Sequence, residues 1–97
     1  MIRHVALFRL KEDAPEDTKQ SLEDGLFQLA QKIDSISAYH YGADLNLRDG
    51  NFDFGVVADF QDQAAFEAYA DHPDHVAFIQ ARIVPVLAER AALQFEI

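Results

Sequence analysis

The chain has 97 residues, 49% of them hydrophobic and eight of them Phe, enough for one domain with its own core. Its 17 acids against 8 bases leave a formal charge of −9 with no basic stripe, which disfavours nucleic acid as a partner. Cysteine is absent, which excludes disulfides, thiolate catalysis and Cys-based zinc sites. No stretch approaches the roughly 18–20 apolar residues of a membrane helix. The N-terminus has no basic region followed by a long apolar one, so a cytoplasmic protein is expected.

IRHVALFRL (2–10) alternates as a first strand, with His4, Ala6 and Phe8 on one parity and Arg3, Val5, Leu7 and Arg9 on the other. Both parities are apolar in the middle. Pro15, followed by Glu16 and Asp17, suits the first turn of a helix. Leu22, Leu26, Leu29 and Ile33 then form one apolar stripe, which Phe27 widens, and Gly25 within it marks a close packing contact.

SAYHYGADL (37–45) reads as a second strand, with Tyr39, Tyr41, Ala43 and Leu45 on one parity and His40 on the other. Turn chemistry in Asp49-Gly50-Asn51 leads to a third strand, FDFGVVADF (52–60), with Phe54, Val56, Ala58 and Phe60 sharing a face. DQAAFEAYADH (62–72) predicts a short helix capped by Asp62, with Phe66 and Tyr69 inward. It breaks at His72, because a residue before proline disfavours the α conformation. A further helix starts at Pro73, presents Val76, Ile79 and Ile83, and kinks or ends at Pro85. AALQFEI (91–97) closes the chain as a strand, with Leu93, Phe95 and Ile97 alternating.

The order β-α-β-β-α-β predicts an α+β, ferredoxin-like fold over 1–97: a four-stranded antiparallel sheet with helices on one face. The uncovered face would carry Val5, Leu7, Val57 and part of the Tyr39/Tyr41/Leu45 parity. A homodimer packed sheet to sheet would bury them.

The chemistry concentrates in AYADHPDHVAF (68–78). With Pro73 at the first helical position, His75 sits in the first turn, where the positive helix end disfavours an imidazolium while Asp71 and Asp74 oppose that. A neutral imidazole can take a proton from a carbon acid beside a carbonyl, and the Tyr69 phenol can hydrogen-bond the developing enolate oxygen. His72 is expected to be a turn residue, His40 a surface one, and His4 to face the helices. His72, His75, Asp71 and Asp74 are not aligned as a metal site, because Pro73 breaks the helix that would align them, so no metal is expected. The serines, Ser21, Ser35 and Ser37, have no nucleophile-elbow context, and the four glycines stand alone.

The opening MIRHVALFRLK, the segment FDFGVVADFQDQAAFEAYADHPDHVAF and the last strand resemble the Dabb family, the stress-responsive dimeric α/β-barrel domain. The most specific parts are R-H-x-x-x-F at the start and Y-x-x-H-P-x-H. The resemblance implies a ferredoxin-like protomer and a barrel formed by two of them. A plant polyketide cyclase of this family works by aldol condensation without metal or organic cofactor, with its catalytic Tyr and His at the positions of Tyr69 and His75. The resemblance also places His4 in the pocket, and puts Phe54 where that cyclase has a further histidine.

Two readings follow. One is a cofactor-independent enzyme of cyclase or isomerase type. It would hold a small apolar carbonyl compound among His4, Phe8, Leu26, Phe54, Val56, Phe66 and Val76, with His75 and Tyr69 catalytic. The other is a non-catalytic homodimer that binds a small hydrophobic ligand or supports stress tolerance, with Phe8 and Phe54 filling the would-be cavity.

Overall fold

A computed structural model describes residues 1–97. The chain forms β1 (Ile2–Leu10), α1 (Thr18–Lys32), β2 (Ala38–Ala43), β3 (Phe54–Phe60), α2 (Gln63–Ala70), α3 (Pro73–Phe78) and β4 (Leu87–Glu96). The strands lie in the order β2-β3-β1-β4, and each neighbouring pair is antiparallel. This is the ferredoxin-like arrangement, with β1 and β3 central and β2 and β4 at the edges.

Register decides the core. His4 pairs with Ala58, Ala6 with Val56 and Phe8 with Phe54. The period of two then puts these residues and Phe60 on one face, where all are buried. Leu22, Leu26, Leu29 and Ile33 of the α1 stripe are buried against them. Each such side chain contributes about 1.5–3 kcal/mol on leaving water. Phe27 falls outside the stripe and is 60% exposed, so it does not widen it.

The opposite sheet face has no helix on it. It carries Val5, Leu7 and Val57, from β4 the exposed Leu93 and Phe95, and just after β4 the exposed Ile97. Arg3 and Asp59, directly opposite in the β1–β3 register, form a two-pronged ion pair there at 2.8 and 2.9 Å. The tyrosine parity of β2 does not belong to this face. Tyr39, Tyr41 and Ala43 pair with Ala58, Val56 and Phe54, which turns them toward the helices, and Leu45 lies beyond the strand.

The boundaries of α1, of the helical run after Pro73 and of β4 differ from expectation for local reasons. Pro15 sits in a turn before α1: the Thr18 hydroxyl and N–H both donate to the Pro15 carbonyl, so the helix starts at Thr18. The helical run after Pro73 widens into a π-turn at Ile79–Ile83, where the Val84 N–H donates to the Ile79 carbonyl. A 3₁₀ turn at Val84–Val86 holds Pro85, so β4 begins at Leu87, four residues before position 91.

Gly25 is where α1 and α3 meet. A Cβ at that position would run into the Phe78 ring, well inside van der Waals contact. The Arg82 guanidinium donates to the Ser21 carbonyl at 3.0 Å and ties α1 to the π-turn beside this contact.

Candidate active site

The break at His72 is built by the side chain of His72 itself. Its Nδ1 accepts from the Asp74 N–H at 3.1 Å, which caps α3, with Pro73 following at the first helical position. A histidine thus takes a place usually held by Asp or Ser. His75 lands one turn into the helix. There its Nδ1–H donates to the Ala70 carbonyl, the last residue of α2, at 3.1 Å.

That bond settles the tautomer. A carbonyl oxygen only accepts, so Nδ1 carries the proton and the neutral ring keeps its lone pair on Nε2. Burial pushes the His75 pKa below the ordinary range, with the Arg90 charge and His72 acting in the same direction, while the Ala70 bond opposes them. Burial, rather than the helix end, is the leading cause.

His4 is the complementary case. The Gln94 side-chain amide donates to His4 Nδ1 at 2.9 Å, which leaves the ring proton on Nε2. Burial first, then Arg90 and His75, lower its pKa to about 4, so the ring is neutral near pH 7. One neutral histidine therefore offers a lone pair on Nε2 and the other an N–H.

Tyr69 packs against the His75 ring with centroids 4.2 Å apart at 33°, and lies 6.3 Å from the His4 ring. Its hydroxyl is 2.8 Å from that of Tyr39. Burial raises the pKa of both phenols, so both stay protonated near neutral pH. Two hydroxyls share one hydrogen bond, so one O–H of the pair remains for another acceptor.

A cavity of about 80 Å³ opens beside these groups. Its wall consists of His4, Ala6 and Phe8 from β1, Leu26 from α1, Val56 from β3, Tyr69 from α2, and His75 and Phe78 from α3. Ile79, Ile83, Val84, Leu87 and Arg90 complete it. The wider π-turn places Ile79 and Ile83 there, a common use of such bulges.

The structure brings His4, Phe8, Leu26, Val56, Tyr69 and His75 to one cavity. Phe54, Phe66 and Val76 lie elsewhere. Phe54 is 2% exposed and fills the core under the sheet rather than lining this cavity. Phe66 packs on the rings of His4 and Phe60, behind the cavity wall. Val76 is 45% exposed, because the face of α3 that meets the sheet is set by His75 and Phe78. Sequence reasoning missed Phe78, Ile79, Ile83, Val84, Leu87 and Arg90 as lining residues. Extending the last strand's alternation back past position 91 would have put Arg90 on the parity of Ala92 and Gln94, toward His4.

A family model for the Stress Responsive A/B Barrel Domain (Dabb) matches residues 2–97. A dimeric ferredoxin-like protein of unknown function from Thermobifida fusca is 45% identical, with TM-score 0.91 over 99% of this chain and 90% of that one. A Dabb family protein from Mesorhizobium loti is 31% identical, with TM-score 0.80 over 99% of this chain and 95% of that one. A dimeric ferredoxin-like protein from Bacteroides fragilis is 25% identical, with TM-score 0.86 over 99% and 95%. Comparison with curated proteins gives no match. On the family model and the Mesorhizobium relative together, this chain belongs to the stress-responsive A/B barrel (Dabb) family.

Proposed function

We propose that the protein catalyses proton transfer next to the carbonyl of a small compound held in this cavity. The observation that carries the reading is the His75 Nδ1–H bond to the Ala70 carbonyl, which leaves Nε2 as the base in a ring that burial keeps neutral. Nε2 takes the proton from the carbon beside the carbonyl. The C–H electron pair becomes the C=C bond of an enolate, and negative charge collects on the oxygen. The Tyr69 O–H, free when Tyr39 donates to the Tyr69 oxygen, and the His4 Nε2–H are the donors for that oxygen, a neutral imidazole being a competent electrophile. In a conjugated dienolate, return of the proton to the far carbon gives isomerisation. Attack of an enolate carbon on a second carbonyl of the same molecule gives ring closure, with the proton passing to the new alkoxide.

The assembly proposed with it is a homodimer through the open sheet face. Dimeric relatives and the exposed Leu93, Phe95 and Ile97 support it. The cavity lies on the other side of the sheet and stays open in such a dimer. Sedimentation giving a monomer mass at micromolar concentration would remove this part.

The reading is tested by incubating the protein in D2O with 3-pentanone and with 2-oxobutyrate and following deuterium incorporation beside the carbonyl by NMR. Incorporation above that of buffer is expected for at least one of the two. Binding of either without exchange in both would instead support the non-catalytic ligand-binding reading.

A further inference from the structure

We infer that the compound bound in this cavity carries a carboxylate, selected by Arg90 at the cavity mouth, so that the substrate class is a small oxo acid. This rests on the proton-transfer reading for the word substrate, but the binding claim stands apart from it.

The first observation is the distribution of charge. The chain is acidic overall at −9, yet none of its 17 Asp and Glu residues is among the 13 that line the cavity. The ionisable lining groups are His4, His75, Tyr69 and Arg90. Long-range repulsion from the acidic surface is screened beyond about 8 Å at physiological ionic strength, so the local set decides what binds.

The second is that Arg90 has no partner of its own. Arg3 is held by Asp59, Arg9 by Glu89, and Arg82 by the Ser21 carbonyl, while Arg48 is also unpaired but lies in the exposed loop between β2 and β3, away from the cavity. Arg90 makes neither an ion pair nor a side-chain hydrogen bond. Strand alternation explains this. Glu89 is next to Arg90 in sequence but pairs with Arg9 on the open sheet face, whereas Arg90 is opposite Phe8 on the helix side. The adjacent carboxylate is thereby kept off the guanidinium. A planar fork left unpaired beside an apolar hollow matches a carboxylate with two parallel N–H bonds.

Size supplies the third. At about 80 Å³ the cavity is smaller than the roughly 150 Å³ hollow that takes a benzene ring. It accommodates a short alkyl and carbonyl portion against Ala6, Val56 and Ile83, with the charged end left at the exposed Arg90. A carboxylate there would also offset the Arg90 charge that helps keep His4 and His75 uncharged. His75 then becomes a better base when the oxo acid is present.

The experiment titrates 15N-labelled protein with 2-oxobutyrate and with 3-pentanone, where an ethyl group replaces the carboxylate. Deuterium exchange is measured in parallel. Wild type should bind 2-oxobutyrate at least about tenfold more tightly. Arg90→Gln should bring the two within about twofold, and Arg90→Glu should reverse the order. Arg90 is exposed and makes no side-chain bond, and the dispersion of the titrated spectra reports the folding of each variant directly. Equal affinity in wild type, or a preference that survives in Arg90→Gln, overturns the inference. An Arg90-dependent preference without deuterium exchange supports it while sinking the proton-transfer reading. Exchange that is equal for both compounds and unchanged in Arg90→Gln does the reverse.

Discussion

His75→Gln is expected to slow deuterium exchange, in whichever of the two carbonyl compounds exchanges faster, by about 10²–10⁴-fold. Glutamine is close to histidine in reach, and its amide can still donate to the Ala70 carbonyl, so the α2–α3 junction keeps its bond. What it lacks is a basic lone pair. The loss therefore isolates Nε2 from the structural work of the ring. The packing of His75 on Tyr69 is partly lost, and the melting temperature should fall by less than about 5 °C. A variant that exchanges at the wild-type rate would mean that His75 is not the base. A collapse in melting temperature together with activity would assign the ring to structure.

The second large effect is on stability between about pH 6.5 and pH 4. His4 has its pKa lowered to about 4 in the folded protein, against 6.5 for an unburied histidine. As pH falls below 6.5 the unfolded chain takes up a proton at this position and the folded chain does not, so the folded state loses ground. The loss is complete once both forms are protonated, below about 4, and it is absent above about 6.5. At about 1.36 kcal/mol per pH unit the displacement corresponds to roughly 3 kcal/mol. Water at the open cavity mouth softens the burial and brings this to about 2 kcal/mol. His75 shifts the same way and adds to it. The groups around His4 are Arg90 and Gln94 from β4, Tyr69 and Phe66 from α2, and His75 from α3. The Arg3–Asp59 pair acts in a lower window, because Arg3 holds the Asp59 carboxyl below its ordinary value of 3.8. Urea unfolding near pH 7 and near pH 5 should show the loss in wild type, and His4→Gln should reduce it. Equal stability at the two pH values would contradict the buried, neutral assignment of His4.

Much of the fold was legible because periodicity reports burial directly. The alternation of His4, Ala6 and Phe8 and the stripe from Leu22 to Ile33 both follow from one face needing to leave water. Asp62 also read correctly as a cap, since its carboxylate accepts from the Ala65 N–H. The β2 tyrosines were harder. Both parities of that strand are mixed, and only the pairing with β3 decides which side Tyr39 and Tyr41 take. Val76 has a core residue type, but the inward face of α3 belongs to His75 and Phe78. The π-turn and 3₁₀ turn that set the start of β4 before Arg90 leave no mark in composition.

Tyr69 and His75 could be singled out as candidates because His and Tyr cluster around the helix break at Pro73 and because Y-x-x-H-P-x-H resembles the Dabb family's segment. What they could do depended on tautomers, and tautomers depend on Ala70 and Gln94, which are distant from any motif reading. Phe54 shows the limit from the other side. Its residue type suits a pocket wall, but its place between Phe8 of β1 and Ala43 of β2 puts it on the β2 side of the packed core, off the cavity that Phe8 lines.

The central claim is that His75 stands in this cavity as a neutral ring with its lone pair on Nε2. It is tested most directly by the side-chain 15N shifts of histidine-labelled protein near pH 7, assigned with His75→Gln. The prediction is one protonated Nδ1 and one unprotonated Nε2 for His75, and the opposite pattern for His4. An imidazolium signal for His75, or a proton on its Nε2, would contradict it.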